Sequence, residues 1–272
     1  MVKKIIGSVL VKNEDRFIEQ SIRNIVDFCD HIIVSDNWST DSTYAILQKL
    51  ADEYSHLELN RIDDTRESMN LLHPYIGGDY WVFGVDGDEV YDPLGLAEFK
   101  EKIIAGEFDQ WWVIFGNVLN CTFVDECEGV ARGYLALPSR SMTKLYNFSV
   151  ITAWDGPCGH RLSGGTPCFS EGYDASLRYD IYKSLSWEEA QFRCLHTCFT
   201  NRSSLDTITE DDQVVARLNI TENQNQSKVQ LLRRLVARLL RKPPSSNWKM
   251  EKYARGPLVE KEVSDFFDKI DG

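Results

Sequence analysis

Three polar clusters in the first hundred residues hold the side chains best suited to chemistry. Asp86-Gly87-Asp88 follows the apolar run Tyr80–Val85. Two carboxylates so close together can hold Mg2+ or Mn2+ through oxygen and leave coordination positions for a diphosphate. Gly87 between them allows a sharp turn and a close approach of backbone to ligand. The alternative for this cluster is a solvated turn whose Asp caps a helix. Asp36 heads the second cluster, Asp36-Asn37-Trp38-Ser39-Thr40-Asp41. At a strand end its carboxylate can accept from a nucleobase N–H or a ribose hydroxyl, while Ser39, Thr40 and Asp41 suit the cap of the next helix. The third cluster, Lys12-Asn13-Glu14-Asp15, follows the apolar run Ile5–Val11.

The elements that must position these clusters alternate in type. Ile5–Val11 reads as a strand buried on both faces. Asp15–Phe28 carries apolar residues at helical spacing. His31–Ser35 is β-rich, and Tyr44, Ala45, Leu47 and Leu50 mark a helix. Leu57–Ile62 reads as a strand, Thr65–Leu72 as a helix and Tyr80–Val85 as a strand. Pro93 opens a helix that runs to about Ala105 and is closed by Gly106. This order predicts an α/β protein with a mostly parallel central sheet flanked by helices. Ligands of such sheets sit beyond the carboxyl ends of the strands, so all three clusters are expected to face one crevice. The second half is less regular. Gln110–Asn120 and Met142–Asn147 read as strands, and 155–175 as a loop. Phe192–Phe199 reads as a strand with Cys194, His196 and Cys198 on one face. Asn219–Ser227 reads as a linker and Leu258–Ile270 as a last helix.

Composition narrows the function. The chain has 272 residues, 43% hydrophobic and 26% charged, which suits a large domain with a real core. A net charge of −12 lacks the basic footprint of a nucleic-acid binder, so no nucleic-acid partner is expected. In so acidic a chain a phosphorylated ligand needs a divalent ion or local Arg and Lys. The 7 cysteines include no Cys-x-x-Cys pair, which argues for free thiols in a reducing, cytoplasmic compartment. Lys3-Lys4 before the first apolar run mimics a leader, but the run is short, lacks a small-residue cleavage site and meets Asn13-Glu14-Asp15 at once. A buried first strand is expected instead. No stretch reaches transmembrane length.

Val11-Lys12-Asn13-Glu14, then Ile33-Val34-Ser35-Asp36-Asn37-Trp38-Ser39-Thr40-Asp41-Ser42-Thr43, then Trp81-Val82-Phe83-Gly84-Val85-Asp86-Gly87-Asp88-Glu89 form an ordered set. That set resembles glycosyltransferase family 2 with the GT-A fold, most nearly its bacterial-type surface-polysaccharide transferases. The resemblance spans residues 3–106 well and 140–200 loosely. It implies a GT-A (Rossmann-like) catalytic domain over 1–205, with a nucleotide-binding half, 1–106, and an acceptor and metal half, 107–205. A C-terminal helical extension would occupy 206–272. Val11, Asn13 and Glu14 would border the nucleobase, and Asp36 would recognise base or ribose. Arg66, in Thr65-Arg66-Glu67-Ser68-Met69-Asn70, would lie near the diphosphate. Asp86 and Gly87 would contact the nucleotide sugar, and Asp88 the metal, Mn2+ or Mg2+. His196 would complete the metal site, the alternative being an ordinary strand histidine. Cys194 and Cys198 beside it do not have zinc-site spacing.

Trp154-Asp155-Gly156-Pro157-Cys158-Gly159-His160-Arg161 resembles the Gly-x-x-His-Glu signature of related transferases, with one residue extra and Arg161 where Glu would stand. Asp155 and then His160 are the candidate catalytic bases, with Glu171 third. The implied activity is an inverting, metal-dependent transfer from a nucleoside-diphosphate sugar to a hydroxyl of a glycan or lipid-linked acceptor. A sugar-phosphate nucleotidyltransferase is one rival, but it needs a glycine-rich loop after strand one, and only Gly7 is near. A catalytically inactive nucleotide-sugar-binding protein is the other, and Arg161 is its support. Lys228–Lys242 is basic and amphipathic, with a stripe from Leu231 to Leu240. It could lie peripherally on the inner face of a membrane near a lipid-linked acceptor, or pack its leucines on the domain.

Overall fold

The computed structural model describes residues 3–136, 144–155, 165–206 and 248–267. The expected linker Asn219–Ser227, the basic helix Lys228–Lys242 and His160 lie outside these residues. The first strands are β1 (Lys4–Val11), β2 (His31–Asp36), β3 (Leu57–Arg61), β4 (Tyr80–Asp86) and β5 (Glu89–Tyr91). Next come β6 (Val113–Phe115), β7 (Asn117–Asp125), β8 (Val130–Ala136), β9 (Lys144–Asn147) and β10 (Ile151–Asp155). The last are β11 (Thr166–Phe169), β12 (Arg178–Asp180), β13 (Arg193–His196) and β14 (Leu258–Glu262). The helices are α1 (Ile18–Arg23), α2 (Thr43–Glu53), α3 (Glu67–Asn70), α4 (Pro93–Ile104), α5 (Ile181–Ser184) and α6 (Trp248–Tyr253).

The central sheet has the order β12-β6-β9-β4-β1-β2-β3. Strands β3, β2, β1 and β4 pair in parallel, and β9 alone runs against its neighbours β4 and β6. Both faces of β1 are apolar because both are covered. Ile5, Val9 and Val11 pack with Ile18, Ile22, Leu47 and Phe99, while Ile6 packs with Ile33, Val82 and Tyr146 on the other face. Ile18, Ile22 and Ile25 are fully buried. Each such side chain contributes about 1.5–3 kcal/mol of burial, and that anchors a helix too short to stand alone.

A second sheet has the order β14-β8-β7-β13-β5. The chain passes from one sheet to the other twice by a short step. Strand β4 leads into β5 across Gly87-Asp88, and β6 leads into β7 across Gly116. The Asp86-Gly87-Asp88 cluster is therefore a junction between sheets. At α4, Asp92 accepts from Gly95 N–H at 3.0 Å and Pro93 opens the helix. Gly106 follows the helix with φ +83°, the left-handed position where glycine is favoured.

Several expected elements differ. The apolar pattern over Asp15–Phe28 is buried as its periodicity suggests, but only Ile18–Arg23 is helical. Beyond it Asn24 donates to Tyr91 O at 2.6 Å and Phe266 O at 2.8 Å, spending its side chain on two other segments. The expected strand Gln110–Asn120 is two strands in different sheets. The expected loop 155–175 contains β11, which pairs antiparallel with β10. The expected helix over Leu258–Ile270 is corrected: Leu258–Glu262 is a strand pairing with β8, followed by one 3-10 turn at Ser264–Phe266. Strand β13 ends at His196, so Cys198 is not on it. The six described cysteines are free thiols. No described helix is long and apolar enough to cross a membrane.

Candidate active site

The parallel register decides what meets at the sheet's carboxyl edge. Val11 pairs with Asp36 across β1 and β2, and Leu10 pairs with Asp86 across β1 and β4. Asp36 and Asp86 thus end the two strands that flank β1, and the loop after Val11 lies between them. Asp36, Asp86, Asp88, Glu89 and Glu14 are all at most 3% exposed. Burying so many carboxylates is costly unless cations and donors compensate.

Asp36 is compensated locally. Its carboxylate lies 3.3 Å from Arg61 Nε and accepts from Ser39 N–H at 3.2 Å. Arg61 is itself held over the rings of Tyr44 at 3.5 Å and Trp38 at 4.7 Å. Trp38 is half exposed, has φ +54°, a strained conformation for a bulky residue, and donates its indole N–H to Asp63 at 2.7 Å. Burial lowers the Lys12 pKa while Asp36 opposes the shift. Asn13 also has φ +54°, which Asn tolerates, and its Oδ1 accepts from Thr40 N–H at 2.7 Å. Asp41, one residue before the Ser42 N-cap of α2, accepts from Thr43 N–H at 3.0 Å.

The Asp86–Glu89 turn is closed from within. Asp86 N–H donates to Glu89 Oε2 at 3.1 Å, and Tyr91 Oη donates to the same oxygen at 3.0 Å. Burial first, then Glu89, pushes the Tyr91 pKa up, so it remains a donor. Gly87 is required by space: a Cβ there would overlap the Glu14 carboxylate and Val11. Its φ is not in the left-handed region, so the expected sharp turn owes nothing to glycine's extra freedom.

Asp88 is where distant segments meet. Thr197 N–H donates to Asp88 O at 2.9 Å, continuing the antiparallel pairing of His196 with Glu89. That pairing brings His196 Nε2 to 3.6 Å from Asp88 Oδ2. Arg202 Nη1 bonds the same Asp88 oxygen and lies 3.2 Å from Glu14 Oε1. Desolvation opposes the Arg202 charge, and Asp88 and Glu14 override it, holding its pKa above the ordinary range. The loop bearing Arg202 is pinned to the first-strand loop. Arg16 N–H donates to Arg202 O at 3.2 Å, and Ser204 donates to Asp15 from both N–H, at 2.7 Å, and Oγ, at 2.6 Å.

A carboxylate oxygen and an imidazole nitrogen 3.6 Å apart fit a divalent ion that draws its other ligands from phosphate and water. No group of three or more His, Cys, Asp or Glu side chains suited to a metal occurs among the described residues, so no closed cage is built there. Two further candidates sit on other elements. The Arg66 side chain is 63% exposed and pairs with Asp64. Asp155 is exposed on β10 and accepts from Cys168 Sγ at 3.3 Å. Arg61, Trp38, Asn120 and Arg202 were not singled out as site residues from the sequence. The one signal for Arg202 is the need of an acidic pocket for a local cation, met by the polar run Asn201-Arg202-Ser203-Ser204 just after the His196 strand.

Residues 9–140 match the family described as Glycosyl transferase family 2, a stretch containing Asp36, Asp86 and Asp88. The mixed α/β architecture, a central sheet flanked by helices, agrees with the GT-A fold. A comparison with curated proteins finds no match. Among solved structures, the chain is similar to glucosyl-3-phosphoglycerate synthase from Mycobacterium tuberculosis in complex with Mn2+, uridine-diphosphate and glucosyl-3-phosphoglycerate. The identity is 21% over 42% of this chain and 44% of that one, with a TM-score of 0.32. It is also similar to a mannosyltransferase from Pyrobaculum calidifontis in complex with GDP-Man and Mn2+, at 20% identity over 47% of this chain and 37% of that one, TM-score 0.31. The matched region spans less than half the length of either solved chain.

Proposed function

We propose that the protein is a nucleotide-sugar-dependent glycosyltransferase that passes a sugar from a nucleoside-diphosphate donor to an acceptor hydroxyl, with inversion. One observation carries the reading: Asp36 and Asp86 end the two parallel strands that flank β1, and Asp88 follows on the next turn, all within the stretch that matches family 2. In this reading the catalytic body is residues 1–205, with 248–267 completing its second sheet. Val11, Asn13 and Glu14 border the nucleobase. Asp36, paired with Arg61, accepts from base or ribose, and the half-exposed Trp38 ring offers a stacking face. Asp86 holds the ribose, and Gly87 leaves room for the turn. Asp88 and His196 hold Mn2+ or Mg2+, which when bound neutralises charge on the departing diphosphate. Asp155, or else His160, takes the proton of the acceptor hydroxyl as its oxygen bonds the anomeric carbon and the bond to the diphosphate oxygen breaks. The acceptor is a glycan or lipid-linked glycan of the surface-polysaccharide kind, met at the inner face of a membrane through Lys228–Lys242.

The test is a panel of uridine, guanosine and thymidine diphosphate sugars with Mn2+, read as release of nucleoside diphosphate. One donor class should be turned over, and Asp88→Ala should lower its kcat/KM by roughly 10^2–10^3-fold. No release with any donor, or full activity in Asp88→Ala, would refute the reading. Pyrophosphate formed from a nucleoside triphosphate and a sugar phosphate would favour the nucleotidyltransferase instead.

A further inference from the structure

Asn120 lies beside His196 in the parallel pairing of β7 with β13, where the two are register partners. The amide is 1% exposed, and its orientation is fixed by its neighbours. Its Nδ2 donates to Tyr253 O at 3.2 Å and Tyr134 O at 3.4 Å, and both are carbonyls that can only accept. The amide oxygen is therefore the atom facing His196, 2.9 Å from Nδ1. An amide oxygen cannot donate, so Nδ1 must carry the proton. In the neutral ring this leaves the lone pair on Nε2, the nitrogen 3.6 Å from Asp88. The Tyr253 ring, edge-to-face with His196 at 4.9 Å, backs the imidazole.

We propose that Asn120 is a positioning residue that locks His196 in the Nδ1–H tautomer with Nε2 presented toward Asp88, ready for a divalent cation. The proposal rests on the reading of Asp88 and His196 as a metal pair. The Tyr253 carbonyl makes α6, near the end of the chain, part of the same support. A residue that serves only packing would leave the tautomer alone, whereas Asn120 sets it by hydrogen bonding. Partners of this kind, behind a metal-binding histidine, fix ring orientation and ligand basicity.

Imidazole proton–nitrogen correlation spectra of the metal-free, 15N-labelled protein at pH 8 test it. The chain has 5 histidines, and His196→Gln identifies the relevant signals. The wild type should show a neutral His196 protonated at Nδ1. Asn120→Ala should shift it toward the Nε2–H form and weaken calorimetric Mn2+ binding roughly 10–100-fold. Asn120→Asp retains an acceptor for Nδ1–H and should restore both, even if it unfolds at a lower temperature. Any other protonation pattern in the wild type, or an Asn120→Ala protein with unchanged tautomer and Mn2+ affinity, overturns the proposal. If the tautomers behave as stated but neither wild type nor variants bind Mn2+, the metal reading itself is overturned and the tautomer result stands.

Discussion

Arg202 lays its guanidinium on the carboxylate of Asp88, 114 residues earlier in the chain, and reaches Glu14 with the same nitrogen. The pair sits at the turn between the two sheets, where the proposed cation would bind. A positive charge is thus already supplied to Asp88 by the protein. Removing it should have two opposite effects. Arg202→Gln removes a guanidinium from between two buried carboxylates and should lower stability by about 3 kcal/mol in urea unfolding. The same change removes a competitor for Asp88, so Mn2+ should bind more tightly by calorimetry, whereas Arg202→Lys should stay close to wild type. Weaker Mn2+ binding in Arg202→Gln would mean that the guanidinium supports the ion rather than competing with it.

Gly87 and Gly84 make a matched pair on one strand and its turn. A Cβ at Gly87 would collide with Glu14 and Val11, whereas a Cβ at Gly84 meets nothing within 4 Å. Gly87→Ala should therefore cost about 1–3 kcal/mol and displace Asp88, while Gly84→Ala should stay within about 0.5 kcal/mol of wild type. Thermal unfolding with a donor-binding assay on each variant separates the two. Equal effects would remove the steric argument for Gly87.

Asp15 ties the Arg202 loop to the first-strand loop. Burial alone would raise its pKa, but bonds from Ser204 and Ser42, with Arg16 nearby, hold it below the usual carboxylate range. A depressed folded-state pKa stabilises the protein above the unfolded value, and that contribution is lost as pH falls through the folded one. The stability gap between wild type and Asp15→Asn should be full at pH 7 and close as pH drops below about 4. Urea unfolding across that range checks it. A gap that stays constant into strong acid would show that Asp15 gains nothing from its charge.

What could be read from the sequence follows from where the information is local. The runs Ile5–Val11, His31–Ser35 and Tyr80–Val85 are apolar because the sheet is covered on both faces, and parallel strands bring their carboxyl ends together. Asp36 and Asp86 therefore end the two strands that flank β1. The misreadings arise where tertiary pairing overrides a local pattern. Leu258 to Phe267 has helix-like spacing and helix-forming Glu and Lys, but pairing with β8 makes its first half a strand. Gln110–Asn120 reads as one strand because both halves are apolar, and nothing local signals that Gly116 carries the chain into another sheet. Arg202 and Asn120 were not legible because their partners lie 114 and 76 residues away, and only the assembled sheets bring them together.

The most direct measurement is calorimetric titration of the wild type and Asp88→Ala with uridine, guanosine and thymidine diphosphates, each with and without Mn2+. The account predicts that one diphosphate binds the wild type at least about tenfold more tightly with Mn2+, a difference of about 1.4 kcal/mol, and that Asp88→Ala abolishes this gain. Binding indifferent to Mn2+, equal enhancement in both proteins, or no binding of any diphosphate would contradict it.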